Sequence, residues 1–347
     1  MGAAQKADPA VEAVDLTKTY AAGRRKAPLP ALRGLSFAAV KGSVFGLLGP
    51  NGAGKSTTVR ILSTLTAADS GSARVAGIDV RTRPEQVRRA IGFVSQKPGT
   101  DPMATATENL LLAGRLHGMS RRDAVARARE LVDRFGLADV ADRLVRTYSG
   151  GMARKLDLAL GLMHRPQVLF LDEPTTGLDP QARGELWAEI ARMAGEEEMT
   201  VLLTTHYLEE ADRLADRLAI VDHGTVVAAG RPDELKSELR GDAVLVELVQ
   251  TDDRALAVLR TVPGLREVAL EGRTVRGRTG DGARALPEVL AALEEAGVAV
   301  SSATLARPSL DDVYLRHTGH SLGVGPAPKP LEAMNPLEAT EASEGTK

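Results

Sequence analysis

A glycine-rich stretch near the start of the chain has the residue types that bind phosphate. It satisfies the Walker A pattern of a P-loop and consists of Gly49, Pro50, Asn51, Gly52, Ala53, Gly54, Lys55, Ser56 and Thr57. Glycines let the backbone curl so that several N–H groups point at one phosphate, and a helix start adds positive potential. Lys55 would reach the β- and γ-phosphates of ATP, and the Ser56 hydroxyl would ligate Mg²⁺. A plain glycine-rich turn is the alternative, which the predicted strand before the stretch and the predicted helix after it disfavour.

A second segment places two carboxylates at the end of an apolar run. Val168 to Leu171 predicts a buried strand, and Asp172 and Glu173 follow it directly. Ligands of α/β proteins bind at the carboxyl edge of the sheet, where these two acids would lie. Asp172 suits the Mg²⁺ shell as a Walker B acid, and Glu173 is the better candidate for polarising the attacking water. A strand that ends in solvated acids is the simpler interpretation of this segment alone, but a preceding Walker A motif favours the catalytic one.

The surrounding pattern predicts the elements that would position these residues. Up to about residue 240, short apolar runs alternate with amphipathic segments, which is typical of an α/β domain with a largely parallel sheet. The predicted central strands are Ser43–Leu48, Val168–Leu171 and Thr200–Thr204, and the predicted helices include Gly54–Leu65 and Pro180–Met193. Helix follows helix between roughly Thr107 and Leu162. We therefore expect a helical subdomain, at about residues 97–165, inserted into a nucleotide-binding domain over residues 1–240.

A second unit is predicted over residues 241–318. Its predicted elements, in order, are Ala243–Val249, Asp252–Arg260, Leu265–Leu270, Arg273–Arg278, Leu286–Ala296 and Val298–Ala306, with a closing helix at Leu310–His317. The order β-α-β-β-α-β predicts a small ferredoxin-like α+β domain. Over residues 319–347, Pro, Gly, Ala, Glu and Ser dominate without periodicity, which predicts a disordered tail.

Composition bounds the class of protein. The chain has 347 residues, of which 43% are hydrophobic and 26% charged, as in soluble globular proteins of about two domains. Lys and Arg total 44 against 46 Asp and Glu, so the basic excess of a nucleic-acid binder is missing and we expect no nucleic-acid partner. The absence of Cys excludes disulfides, thiolate zinc sites and cysteine nucleophiles. No apolar run approaches the ~20 residues that span a bilayer, and no signal sequence is visible, so we expect a cytoplasmic protein.

A short motif before a predicted helix decides among the P-loop proteins. Tyr148-Ser149-Gly150-Gly151-Met152 is similar to the signature motif of the ATP-binding cassette (ABC) family. Ser149, Gly150 and Gly151 offer a hydroxyl and bare N–H groups at a helix start, which makes a second phosphate cradle. A helix cap explains a lone Ser-Gly-Gly equally well. Tyr148 stands where the family usually has Leu, and Met152 where it usually has Gln.

Four more positions match the family in the expected order: Gln96 matches the Q-loop glutamine, Asp179 the D-loop acid, His206 the switch histidine and Tyr20 the A-loop aromatic. The resemblance implies that Gln96 ligates Mg²⁺ and senses water, and that Asp179 crosses a dimer interface. It also implies that His206 contacts the γ-phosphate and that Tyr20 stacks on adenine. A structural role remains the alternative for His206, and core packing remains the alternative for Tyr20.

The resemblance covers residues 11–240 and implies an ATP-hydrolysing subunit with catalytic Glu173, His206 and Gln96. It further implies a homodimer in which Mg-ATP lies between the Walker A motif of one copy and the signature of the other. A separate integral-membrane permease would hold this dimer at the cytoplasmic face of the membrane. Residues 148–158 and 309–315 resemble the daunorubicin/doxorubicin-resistance ATP-binding subfamily, which favours export of hydrophobic antibiotic-like compounds. Export of polysaccharide or lipid, or a non-transport ABC ATPase acting on DNA or ribosomes, is the alternative.

Overall fold

A computed structural model describes residues 9–21, 28–239 and 241–319. The first elements are β1 (Pro9–Tyr20), β2 (Leu29–Val40), β3 (Val44–Leu48), α1 (Lys55–Leu62), β4 (Ser70–Val75), β5 (Ile78–Asp79), α2 (Pro84–Ala90) and β6 (Ile91–Val94). Three helices follow, α3 (Ala106–Leu116), α4 (Arg121–Arg134) and α5 (Gly150–Gly161), with 3-10 turns at Ala138–Val140 and Val145–Thr147. The α/β pattern then resumes with β7 (Val168–Asp172), α6 (Pro180–Gly195), β8 (Thr200–Thr205), α7 (Leu208–Leu214), β9 (Arg217–Asp222), β10 (Thr225–Gly230) and α8 (Pro232–Ser237).

Six strands form the central sheet in the order β10-β9-β3-β8-β7-β6. The strands from β9 to β6 in this order are parallel, and only β10 is antiparallel to its neighbour. Strands β3 and β8 are buried at every position, and β7 is buried up to its last residue. Continuous apolar strands are typical of parallel sheets that are covered on both faces. The predicted α/β fold with a largely parallel sheet is confirmed.

The two faces of this sheet contact two different hydrophobic cores. Leu169 and Leu171 of β7 belong to the core formed with helices α3 to α6, whereas Phe170 belongs to the other core. This alternation follows from the two-residue period of a strand. The sheet thereby joins the helical region to the region around α1.

A second sheet, with the order β2-β1-β4-β5 and antiparallel pairing throughout, was not predicted. Strands β1 and β2 have 12 residues each, but their pairing shifts register at four places. Asp15 in β1 has a φ of 50°, which is a left-handed conformation at one of these irregularities. Bulges of this kind interrupt the alternation of apolar and polar residues. The sequence pattern is therefore weak here although the strands are long.

Helices α3, α4 and α5 fill the stretch that was predicted to be helical, and each begins at a capping residue. Thr105 forms a capping box with Glu108 before α3, Ser120 caps α4 and Ser149 caps α5. Such caps satisfy backbone N–H groups that have no partner within the helix. None of the helices in the described ranges is both long and apolar enough to cross a membrane.

The remaining elements form the predicted C-terminal unit. They are β11 (Asp242–Leu248), α9 (Asp253–Leu259), β12 (Arg266–Glu271), β13 (Thr274–Thr279), α10 (Gly282–Glu295), β14 (Val300–Ala306) and α11 (Leu310–Thr318). The antiparallel sheet has the order β12-β13-β11-β14, so the predicted ferredoxin-like arrangement is confirmed. Helix α10 begins four residues before its predicted start because Asp281 caps it, accepting a hydrogen bond from Arg284 N at 3.2 Å. The predicted tail lies outside the described residues apart from Gly319.

Helix α11 returns from the C-terminal unit to the first one. Leu310, Val313 and Tyr314 are buried in a core that also contains residues of β9, α7 and α8. The Tyr314 hydroxyl donates to Asp222 Oδ1 at 3.2 Å. On its other side, Asp312 accepts from Arg276 at 2.8 Å. One helix therefore contacts both units.

A pair of histidines joins the end of α3 to the segment after α5. The rings of His117 and His164 stack at a centroid distance of 3.7 Å with an interplanar angle of 6°. His164 Nε2 lies 2.8 Å from Ile91 O, and since a carbonyl only accepts, Nε2 carries the proton. Burial, followed by the charge of His117, lowers the pKa of His164 from 6.5 to about 4. His164 is therefore neutral at pH 7.

This burial predicts that acid destabilises the fold through His164. Its pKa is lower in the folded than in the unfolded chain, so its contribution is complete above pH 6.5 and is lost as the pH falls towards about 4. His164→Gln should remove that dependence. The decrease in unfolding free energy between pH 7 and pH 4 should then be smaller than in the wild type by roughly 3 kcal/mol. Urea unfolding followed between pH 7 and pH 4 would measure it, with exposed His317→Asn as the control. Identical acid profiles for the wild type and His164→Gln would contradict the prediction.

Candidate active site

The Walker A loop leaves β3 and turns into α1 with a backbone that only glycine tolerates at two places. A Cβ on Gly49 would lie 2.2 Å from Val221 O, too close for any side chain. Gly54 precedes α1 with a φ of 109°, in the left-handed region. The loop therefore keeps its N–H groups together at the start of α1, where a phosphate would gain from the helix dipole.

The side chain of Lys55 is folded into this loop and is only 4% exposed. Its Nζ donates to Gly49 O at 2.7 Å and to Pro50 O at 3.1 Å, and it lies 3.7 Å from Glu173 Oε1. Burial lowers the pKa of Lys55, while the charges of Glu173 and Asp172 oppose that shift. A buried ammonium held mainly by neutral carbonyls favours an additional anion. The site thus suits a phosphate group next to Lys55.

Asp172 at the end of β7 meets the start of α1. Ser56 Oγ donates to Asp172 Oδ1 at 3.1 Å, and Thr204 Oγ1 donates to the same oxygen at 2.6 Å. Thr204 lies opposite Asp172 in the pairing of β7 with β8. Sequence analysis missed Thr204, although a hydroxyl near the end of an apolar strand, two residues before His206, was a signal for it.

The other predicted catalytic side chains lie close to the carboxylate of Glu173. Gln96 Nε2 donates to Glu173 Oε2 at 3.2 Å, and His206 Nδ1 lies 3.3 Å from Glu173 Oε1. His206 Nδ1 is buried and makes no hydrogen bond among the described residues. Together with Lys55, these residues bring three different segments around one carboxylate.

The backbone of Glu173 is strained. Its φ is 49°, a left-handed conformation that costs a non-glycine residue on the order of 1–3 kcal/mol. Its N–H donates to Thr204 O and to Thr204 Oγ1, each at 3.1 Å. Because Thr204 also binds Asp172, one residue of β8 fixes both acids.

The donor set fits Mg²⁺ bound together with a nucleotide. No three His, Cys, Asp or Glu side chains in the described part of the chain are grouped so that they could hold a metal by themselves. The oxygens of Ser56 and Asp172 are hard ligands, and Mg²⁺ is commonly bound by one or two carboxylates together with substrate phosphates and water. The amide nitrogen of Gln96 contacts Glu173, the residue after Asp172, which leaves the amide oxygen to act as a metal ligand.

Other predicted residues lie on the surface at helix starts. Ser149 caps α5 by accepting from Met152 N at 3.2 Å, so the helix-cap interpretation holds within this chain. Asp179 caps α6 in the same way. A Cβ on Gly151 would lie 3.0 Å from Ala182 Cβ, so the starts of α5 and α6 are neighbours. Ser149, Gly150 and Asp179 are exposed.

Tyr20 is the last residue of β1 and belongs to the antiparallel sheet. The residue is half-buried, and Lys18 Nζ lies 5.7 Å from its ring centroid. Its hydroxyl is buried without a hydrogen-bond partner in the described ranges. Its contact with adenine stays a prediction.

Comparison with known proteins agrees with this geometry. The family profile described as ABC transporter matches residues 32–176, and the profile described as ATP-binding protein DrrA1-3-like, C-terminal domain, matches residues 230–318. The chain is 47% identical to the daunorubicin resistance ATP-binding protein DrrA2 of Streptomyces coeruleorubidus, over 90% of this chain and 95% of that protein. The chain belongs to the ABC ATP-binding protein family.

Further similarities place this ABC protein among drug-resistance relatives. It is 45% identical to the daunorubicin/doxorubicin resistance ATP-binding protein DrrA of Streptomyces peucetius, over 90% of this chain and 93% of that protein. A solved dimeric ATP-binding cassette in a post-hydrolysis state, bound to ADP and Pi, matches with a TM-score of 0.59 and 26% identity, over 64% of this chain and 98% of that one. This ABC protein is an ATPase and the ATP-binding subunit of a drug-resistance exporter family.

The double role of Thr204 predicts a loss of turnover in Thr204→Val. The substitution keeps the size of the side chain but removes the bonds to Asp172 and to Glu173 N. Loss of such a supporting hydrogen bond typically lowers activity about 10–100-fold, which phosphate release would measure. Thr200→Val is the matched control, because Thr200 accepts from Gly42 N at the opposite end of β8. Equal activities of the two variants would show that Thr204 has no special role.

Proposed function

We propose that this chain binds and hydrolyses Mg-ATP at a homodimer interface and drives export of a hydrophobic drug or antibiotic-like compound through a separate permease. The observation that carries this proposal is the convergence of Lys55, Gln96 and His206 on the carboxylate of Glu173. The names of the drug-resistance relatives supply the class of exported compound.

The residues around Glu173 account for hydrolysis. The Walker A loop and Lys55 hold the phosphates. Ser56 and Asp172 would hold Mg²⁺, which would supply positive charge to neutralise them. Glu173 accepts a proton as the water oxygen bonds to the γ-phosphorus, and the bond from that phosphorus to ADP breaks. His206, whose Nδ1 lies 3.3 Å from Glu173 Oε1, would contact the γ-phosphate.

The exposed signature supports a shared site. Ser149, Gly150 and Asp179 lie at the exposed starts of α5 and α6, where N–H groups attract phosphate. In the proposed dimer they face the ATP held by the Walker A loop of the other copy. ATP then contacts both subunits, which stabilises the closed dimer relative to the open one. Hydrolysis removes this preference for the closed dimer.

Glu173→Gln is expected to bind ATP, to release no phosphate above background, and to accumulate as a dimer. The amide keeps the size of the side chain but cannot accept the proton. Size-exclusion chromatography with ATP and a phosphate assay would measure both effects. Ser149→Arg in the same background should abolish the dimer, and Lys55→Ala should nearly abolish nucleotide binding. Wild-type turnover in Glu173→Gln would show that the base is wrongly assigned.

A groove beside Gln96 supports a membrane partner. It has a volume of about 410 Å³ and is lined by apolar residues that include Phe93, Leu65, Leu112 and Leu116. Leu65, Leu112 and Leu116 are 60%, 55% and 79% exposed, and an exposed apolar patch of this kind is typical of an interaction site. We propose that a short cytoplasmic helix of the permease occupies this groove and so holds the ATPase at the cytoplasmic face of the membrane.

The groove predicts that Leu116→Asp weakens association with the permease but leaves basal ATP hydrolysis within about twofold. A charge there would have to be desolvated against apolar residues, which costs binding free energy. Co-purification of the tagged chain from detergent-solubilised membranes would measure it. Leu290→Asp, at an exposed leucine of α10, is the matched control. Recovery of ribosomes or DNA in place of an integral-membrane protein would contradict the transport proposal.

The domain assignment is part of the proposal. We assign residues 1–240 to the nucleotide-binding domain, with its helical subdomain at about 97–165, and residues 241–318 to an accessory domain. Buried residues between Val244 and Val298 form a core of their own, which supports this division, while α11 packs in a core shared with the first domain.

A further inference from the structure

A buried arginine on the signature helix lies beneath the active site. Arg154 follows Ser149 by five residues on α5 and is only 8% exposed. Its guanidinium donates to four main-chain carbonyls: Ser95 O and Pro174 O, each at 2.7 Å, and Asp172 O and Glu173 O, each at 3.4 Å. These carbonyls belong to the two segments that carry Gln96 and Glu173.

The charge of Arg154 is balanced without a hydrogen-bonded carboxylate. Burial lowers the pKa of Arg154, and the charges of Asp157, Asp172 and Glu210 raise it. Asp157 Oδ2 lies 3.8 Å from Arg154 Nη1, and Asp157 Oδ1 accepts from Gly99 N at 3.0 Å. The pair Arg154 and Asp157 therefore holds the Gln96 segment on both sides of the glutamine.

We propose that Arg154 is a positioning residue that couples the signature helix to the catalytic glutamate. This inference rests on the proposed role of Glu173. Arg154 holds the carbonyl oxygen of Glu173, whose backbone is left-handed, and the carbonyl that precedes Gln96. Both contacts depend on the planar fork of a guanidinium, which the single ammonium of lysine does not reproduce.

Arg154 also connects the ATP bound by one copy to the catalytic glutamate of the other. In the proposed dimer, Ser149 at the start of α5 binds the ATP of the partner. Arg154 lies in the second turn of that helix, so a displacement of α5 carries Arg154 and the carbonyls that it holds. The Glu173 carboxylate of one copy thus responds to ATP bound by the other.

Arg154→Lys in the full chain tests the proposal. We expect kcat for ATP hydrolysis to fall at least tenfold while KM and equilibrium ATP binding stay within twofold. Arg127→Lys is the matched control: Arg127 is also buried, at 6% exposure, and donates to Leu162 O at 2.9 Å on the same helical region. That variant should show a similar loss of thermal stability and a kcat within twofold of wild type. Proportional losses of stability and kcat in both variants, or a wild-type kcat in Arg154→Lys, would overturn the proposal.

A second measurement separates positioning from nucleotide binding. In the Glu173→Gln background, Arg154→Lys should still form the ATP-dependent dimer at the same ATP concentration, and loss of that dimer would overturn the positioning role. If Arg154→Lys does not fold, Arg154→Gln, which keeps two donors, replaces it under the same criteria. Turnover in Glu173→Gln alone overturns the proposed function together with this inference. An inactive Glu173→Gln with a fully active Arg154→Lys overturns only the inference.

Discussion

Strand β8 pairs in parallel with β3 on one side and with β7 on the other, and the active site depends on this arrangement. The registers place Thr205 opposite Leu48 and Thr204 opposite Asp172. As a result, the Walker A loop, the acidic pair and His206 all leave the sheet at one edge. The main chain continues the pairing past the strand ends, since Gly49 N donates to Thr205 O at 3.3 Å and Glu173 N to Thr204 O at 3.1 Å. Main-chain hydrogen bonds that extend the sheet pairing thus already position Glu173, and side-chain contacts add to them.

The sequence predicts those parts of the site in which a single short segment contains all the residue types that identify it. The Walker A loop combines glycines, a lysine and a hydroxyl within nine positions, and β7 combines an apolar run with two acids. Strands β3, β7 and β8 are buried on both faces, so each contains a run of apolar residues that is easy to recognise. The long strands β1 and β2 were missed because their bulges disrupt the two-residue period.

Thr204 and Arg154 were missed for a different reason. Their partners are largely main-chain groups or residues distant in sequence, and a carbonyl oxygen looks the same whatever residue carries it. Only the folded chain brings the carbonyls of residues 95 and 172–174 around one guanidinium. The roles of Tyr20, Ser149 and Asp179 remain predictions in this respect, since each depends on a nucleotide or on a second copy of the chain.

The return of α11 onto the first unit also affects how the protein is made. The apolar surface formed by β9, α7 and α8 is complete once residue 237 has been synthesised, but Tyr314 and its neighbours cover it only after α11 has emerged. At roughly 5–20 residues per second, translation leaves that surface uncovered for several seconds. During this interval the nascent chain exposes a site for chaperones or for aggregation. A stop codon before α11 would make this exposure permanent, even though every predicted catalytic residue would be present.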